Sequence, residues 1–136
     1  MSNQQSEVPL RVRPLLRRLK SALPLLPAKL PAHLTAIQFV LVDRATMARV
    51  HGDFLGDPSE TDVITFPYGE ILVCPAVARD RAAEYGLEIG HEVLLYALHG
   101  LLHLAGYDDT TPALAKEMAK AQARLLKRVL EGQTPS

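Results

Sequence analysis

The sequence has a single cysteine, Cys74, no tryptophan and only 5% aromatic residues. One cysteine cannot form a disulfide within the chain, which favours a reducing compartment, so we expect a cytoplasmic protein. Long apolar runs are lacking too, because three prolines break the leucine-rich stretch 19–34 and no run reaches the roughly 18 residues that span a bilayer. The pattern of a secretory signal is also missing. We therefore expect no membrane partner.

Net charge is absent as well, since 15 Lys and Arg balance 15 Asp and Glu. The chain thus lacks the strongly basic total that many nucleic-acid-binding proteins show. The charges are unevenly distributed, however: residues 1–30 and 110–136 are basic, whereas residues 51–109 are acidic. An acidic middle suits a cation and basic ends suit phosphate. Solvated helix faces explain the same charges, and composition alone favours that simpler interpretation.

Apolar residues are plentiful, at 48% of 136 residues, which suits one compact core. We therefore predict a single domain over residues 1–136. Residues 34–42 predict a strand, and residues 61–74 predict a hairpin that turns about Pro67–Gly69. The stretch from Gly52 to Pro58 predicts a loop. Helices are predicted from Pro14, from Asp43 to about His51, over 76–85, over 88–105, and from Thr111 to Gly132. Strands come first and helices gather late, which is typical of an α+β domain.

The helix over 88–105 is apolar on nearly all sides, so we expect it in the centre of the domain. His99 and His103 lie four residues apart on it and therefore leave the same face. A lone buried histidine is usually a hydrogen-bonded core residue, but two together each need a polar partner, and one metal ion satisfies both. Gly106 then permits a reversal that brings the run Tyr107–Asp109 back, with a carboxylate as the third ligand.

This arrangement resembles the extended zincin pattern, in which two helical ligands are followed by a glycine turn and a third ligand. Metalloproteases place their general base, a glutamate, directly after the first histidine. Gly100 occupies that position here. Peptide hydrolysis is therefore disfavoured.

Two segments carry a more specific resemblance. The stretch HGLLHLAGYDD, residues 99–109, closely resembles the signature HGxLHLxGYDH of the bacterial YbeY family. The stretch TDVITFPYGEILVC, residues 61–74, resembles that family's T-[ND]-V-L-S-F-P segment and the G-[DE]-I strand that follows it. The resemblance covers most of residues 34–130, which we take as the motif core.

The resemblance implies an α+β fold in which a small mixed β-sheet packs with helices, in a zincin-like arrangement with a central metal-ligand helix. It implies a metal-dependent, single-strand-type endoribonuclease that acts in ribosomal RNA maturation and quality control of the small ribosomal subunit. It also implies one Zn²⁺ per chain, held by His99, His103 and Asp109, although another divalent ion is possible. Ribosomal RNA and the small subunit are the expected partners.

Two departures from the family pattern affect this expectation. Asp109 stands where the family has histidine; aspartate is a competent zinc ligand, but its charge predicts a weaker Lewis acid. Leu55 stands near the place of a family arginine and cannot neutralise a phosphate. His51 and the Lys and Arg residues of the first and last helices are candidate substitutes.

The catalytic group stays open at this stage, with Asp108 and His51 as candidates. Asp108 fits a turn cap equally well, whereas His51 borders the predicted loop. Two other functions are also open: a non-catalytic, metal-binding ribosome-assembly factor, which the missing arginine favours, and a metal-dependent hydrolase of another substrate. A basic cleft around the metal would argue against the last of these.

Overall fold

A computed structural model describes residues 1–56 and 61–132 of the chain. Within these ranges the chain forms one four-stranded sheet and five α-helices, and a short 3-10 turn, Leu23–Leu25, follows the first helix. The strands are β1 Ser2–Gln4, β2 Gln38–Val42, β3 Val63–Phe66 and β4 Glu70–Val73. The helices are α1 Val12–Ala22, α2 Arg44–Leu55, α3 Pro75–Tyr85, α4 Ile89–Leu104 and α5 Pro112–Gly132. The predicted α+β class is confirmed.

The sheet is mixed, as the resemblance implies, with the strand order β1-β2-β4-β3. Strand β2 runs parallel to both β1 and β4, and β3 pairs antiparallel with β4. The predicted hairpin is therefore present. Its register pairs Val63 with Val73 and Phe66 with Glu70.

Alternating residues of the sheet supply two separate clusters of core side chains. Phe39 and Leu41 of β2 pack in the larger cluster with α1, α4 and α5. Val40 and Val42 belong to the other cluster, together with Met47 of α2. Since successive strand residues point to opposite faces, helices cover both faces of the sheet.

Helix α4 lies in the centre of the molecule, which confirms the prediction from its apolar pattern. It packs against β3, β4, α1, α3 and α5. Its leucine side chains are buried, and the helix contributes eight of the twenty buried residues in the larger core cluster. Most faces of the helix are covered by protein, which is why nearly every position on it is apolar.

Three elements differ from the prediction. Strand β1 is polar and was not expected; it forms because its backbone pairs with β2 rather than through its side chains. The strand predicted over 34–42 begins only at Gln38. Helix α2 continues beyond His51 to Leu55. The hydrogen bond that ends it runs from the Gly56 N–H to the Gly52 carbonyl. The loop prediction is therefore wrong for residues 52–55, and its Asp57–Pro58 part lies outside the described residues.

Residues 1–56 and 61–132 contain no helix with the length and apolar character needed to cross a bilayer.

Candidate metal centre

Three side chains converge at the C-terminal end of α4. The Nε2 atoms of His99 and His103 lie 3.1 Å apart. The Oδ2 atom of Asp109 lies 3.7 Å from the first of these nitrogens and 3.8 Å from the second. Within the described part of the chain, no other group of three or more His, Cys, Asp or Glu side chains brings its ligand atoms this close together.

A glycine turn brings Asp109 to the histidines, as the sequence predicts. Gly106 has φ 103°, in a region that residues with a side chain rarely adopt. The Gly106 N–H donates to the His103 carbonyl, and the Tyr107 N–H reaches back to the Leu102 carbonyl, each at 3.0 Å. These bonds close the end of α4 and reverse the chain, so that Asp109 lies beside a helix that it has just left.

The other ring nitrogen of each histidine already has a partner. His103 Nδ1 lies 3.1 Å from the Tyr107 carbonyl oxygen, which can only accept, so this nitrogen carries the proton. His99 Nδ1 donates in the same way to Gln122 Oε1, at 2.7 Å. Both Nε2 atoms are then left with lone pairs that point at one another, with the Asp109 carboxylate beside them. Such a donor set is stabilised by a cation.

The donor set fits a zinc ion. Zinc–nitrogen bonds of about 2.0–2.1 Å in a tetrahedron place two ligand atoms about 3.3 Å apart. The three distances in this group lie on either side of that value, and the histidine pair is slightly closer together than the carboxylate. Two imidazoles and one carboxylate leave a fourth position free, which is typical of catalytic rather than structural zinc sites.

Gln122 is a residue of this site that the sequence did not reveal. It lies on α5 and is separated from His99 by 23 positions, and its pattern is that of an ordinary half-buried helix residue. A histidine ligand usually donates its second N–H to such an acceptor, which fixes the ring. The one signal in the sequence was that each imidazole on this mostly apolar helix needs a polar partner.

Replacing Gln122 should weaken zinc binding without unfolding the protein. We expect Gln122→Ala to lower the zinc affinity by roughly 10–100-fold, because His99 loses the acceptor that holds its Nδ1–H. Gln122→Glu keeps an acceptor and should bind nearly as wild type. Competition titration with a chelating dye measures the affinity, and thermal unfolding of the metal-free proteins provides the control. Equal affinity in wild type and Gln122→Ala would contradict the role.

The three ligand residues line a cleft of about 710 Å³, between the end of α2, strand β3 and the end of α4. His51 lines the same cleft, as do Phe54 and Leu55. The described part of the cleft wall contains no Lys or Arg side chain. The basic cleft that would argue against a hydrolase of another substrate is therefore not seen in the described residues, and that alternative stays open.

Asp108 forms a turn cap. Its Oδ1 accepts from the backbone N–H groups of Asp109 and Thr110, at 2.7 and 3.2 Å, and its Oδ2 accepts from Thr110 Oγ1 at 3.0 Å. These bonds lower the pKa of the Asp108 carboxyl, and the bond from the Thr110 hydroxyl has the largest effect. A carboxylate stabilised in its charged form is a weaker base. Its catalytic role stays a prediction.

Basic side chains of α5 lie in a neighbouring groove. Lys120, Arg124 and Arg128 recur every fourth residue and line this groove together with Tyr107. The backbone carbonyl of Tyr107 is the group that holds His103. Tyr107 thus borders both the metal centre and this groove, which Glu117 also lines and where Glu117 pairs with Lys120 at 3.9 Å.

Comparison with known proteins gives consistent matches. The model of a protein family described as endoribonuclease YbeY matches residues 1–130. A Mycolicibacterium paratuberculosis protein named endoribonuclease YbeY is 38% identical, over 67% of this chain and 62% of its own length. A Rhodococcus erythropolis protein of the same name is 36% identical, over 76% and 69% respectively. The match thus spans less than two thirds of the first of these relatives.

A solved structure matches as well. The solution structure of TM1509 from Thermotoga maritima superposes with a TM-score of 0.66 and 25% sequence identity, covering 96% of this chain and 89% of the other. The likeness extends over both the sheet and the helices that position the ligand residues.

Proposed function

Since this chain belongs to the YbeY family, we propose that it is an endoribonuclease that depends on a divalent ion held by His99, His103 and Asp109. The observation that carries the proposal is the convergence of these three side chains, with both histidine Nδ1 atoms already bonded to protein acceptors. Zinc is the ion we propose, at one per chain, because this donor set is one that zinc prefers.

The residues of the site have separate tasks in this proposal. An ion bound there would supply Lewis-acid stabilisation of the charge that develops on the phosphate. His99 and His103 present Nε2 because Gln122 and the Tyr107 carbonyl hold their other nitrogens. His51 is the proposed proton-transfer group, because it lines the same cleft and an imidazole can both accept and donate a proton. Both oxygens of Asp108 are engaged within its own turn, which makes it the weaker candidate.

The substrate we propose is ribosomal RNA, in small-subunit maturation and quality control, and the location is then the cytoplasm. The family pattern supports this substrate. The basic groove of α5 supports it too, because Lys120, Arg124 and Arg128 line a groove outside the metal cleft where they would contact phosphates of a longer bound strand. A single domain containing sheet, helices and metal centre is also proposed, since one helix, α4, contacts most of the other elements.

A second function, a non-catalytic assembly factor, is favoured by one observation. Leu55 is 62% exposed in a cleft where a cation would be expected next to a scissile phosphate. Without such a cation, binding of the small subunit could be the whole function. The cleavage experiment separates the two.

Zinc-loaded protein should cleave a ribosomal RNA fragment that contains an unpaired segment. We expect His103→Ala to lose this activity, and His51→Ala to lose about 100-fold or more if its imidazole transfers a proton. His91→Ala, outside the ligand group but on the same helix, is the matched control and should cleave as wild type. Gel analysis of end-labelled RNA measures the rates.

The outcomes discriminate clearly. Cleavage that persists in His103→Ala would identify a contaminating nuclease. Binding of small subunits by wild type with no cleavage would favour the assembly factor. Unchanged activity in His51→Ala alone would remove His51 from the mechanism and leave the metal centre in place.

A further inference from the structure

Three aromatic side chains follow one another outward from the metal cleft. Phe54 lies in the last turn of α2, Phe66 is the last residue of β3, and Tyr68 lies in the hairpin turn between β3 and β4. The ring centroids of Phe54 and Phe66 are 5.4 Å apart in an edge-to-face contact at 75°. Those of Phe66 and Tyr68 are also 5.4 Å apart, but stacked at 19°. We call these three residues the aromatic ladder.

The outer members of the ladder are unusually exposed. Phe54 is 68% exposed and Tyr68 is 66% exposed, in a chain that has only three Phe and four Tyr. One exposed aromatic residue is unremarkable, but a contiguous group marks a contact surface. The Tyr68 hydroxyl donates to Glu70 Oε1 at 3.0 Å, which restricts the orientation of the ring in the turn.

The ladder is continuous with the metal centre. Phe54 and Phe66 line the cleft that also contains His99, His103 and Asp109. The two rings and the three ligand residues thus belong to the same cleft. The described cleft wall has no Lys or Arg, so apart from the ion site it offers a bound strand ring faces rather than basic side chains.

We propose that the aromatic ladder binds unpaired nucleobases of single-stranded RNA beside the bond to be cleaved; this inference rests on the proposed nuclease function. Bases stack on aromatic side chains irrespective of sequence, because every base has a π-face. Phe66 and Tyr68 already stack on one another, so a base binds on an exposed face of Tyr68 or Phe54 rather than between two rings. Paired bases expose no such face, so the ladder selects single strands.

The test is a binding experiment that does not depend on cleavage. The probe is a short 2′-O-methyl RNA single strand that contains 2-aminopurine, mixed with the full chain in a metal chelator. We expect Phe54→Ala and Tyr68→Ala each to weaken binding by about tenfold, because each removes one stacking surface. The 2-aminopurine fluorescence, which stacking quenches, should fall on binding to wild type and fall less with these variants.

Two variants serve as controls. Tyr68→Phe keeps the ring and loses only the hydroxyl bonded to Glu70, so it should bind and quench like wild type. Tyr85→Ala removes a tyrosine of α3 that is equally exposed, at 69%, but lies outside the ladder, and it should leave binding unchanged. Thermal unfolding of each variant shows whether it is folded.

Several results would overturn the proposal. These are no binding by wild type, wild-type binding by both folded alanine variants, equal binding of a strand with abasic sites in place of bases, or equal binding of duplex RNA. If the ladder instead contacts an apolar protein surface, the alanine variants will bind RNA like wild type, or the abasic strand will bind as well as the intact one. If wild type cleaves no RNA while the quenching pattern holds, the proposed function fails and the ladder stands. If wild type cleaves RNA and the alanine variants bind normally, only the ladder fails.

Discussion

Replacing His99 or His103 with alanine should lower the zinc affinity by more than about 100-fold. Loss of a residue that merely supports a ligand costs roughly 10–100-fold, so loss of a ligand itself must cost more. Each variant also leaves the remaining imidazole and Asp109 to hold the ion with two donors. Elemental analysis of protein purified without a metal-affinity column measures zinc content, and competition titration measures affinity.

Asp109→Ala should have a smaller effect than either histidine replacement. The Asp109 side chain is 49% exposed and lies 3.7 and 3.8 Å from the two nitrogens, whereas the nitrogens are 3.1 Å apart. Asp109→His, unlike Asp109→Ala, should bind zinc about as well as wild type, because imidazole is an equally good zinc ligand. His91→Ala provides the control on the same helix and should retain zinc. Wild-type affinity in all three alanine variants would show that these residues hold no metal.

Most of this site could be predicted from sequence because its information is local. His99, His103 and Asp109 lie within eleven consecutive residues, on one helix and the turn that ends it. The helical period places the first two on one face, and Gly106 returns the third. No long-range contact had to be known: spacing predicted the histidine pair and a returning carboxylate, and the family resemblance identified Asp109 as that carboxylate.

The residues that sequence analysis missed depend on contacts between distant segments. Gln122 reaches His99 only because α5 packs along α4. The aromatic ladder brings together α2, β3 and the hairpin turn, and none of its members is unusual in its own segment. Strand β1 likewise exists through its pairing with β2, at residues whose side chains give no strand pattern. Such features require the tertiary structure.

Gly100→Ala should destabilise the protein by about 1–2 kcal/mol. A Cβ atom at this position would lie 2.7 Å from Ile71 Cγ2 and 3.0 Å from both Ile71 Cδ1 and Thr65 Oγ1. Ile71 is fully buried, so its side chain can shift only against other core atoms, and the added methyl group overpacks the contact between α4 and the sheet. Alanine favours the helix by up to about 1 kcal/mol over glycine, which offsets only part of the cost of overpacking.

Gly90→Ala is the matched control, because Gly90 lies on the same helix with no atom within 4 Å of an added Cβ. It should leave stability unchanged or raise it by less than about 1 kcal/mol. Denaturant unfolding of the metal-free proteins measures both effects as shifts in midpoint at constant slope. Equal midpoints for Gly100→Ala and Gly90→Ala would show that the sheet can accommodate the larger residue.

The same contact bears on the chemistry of the site. Residue 100 follows the first histidine ligand, where metalloproteases carry the glutamate that acts as general base. Ile71 and Thr65 occupy the space that any side chain at this position would enter first. Gly100→Glu should therefore unfold the protein rather than create a protease, since the sheet must separate from α4 to admit the carboxylate. The close packing of the metal-ligand helix thus leaves no room for this base, which is consistent with our proposal that His51, on another wall of the cleft, transfers the proton.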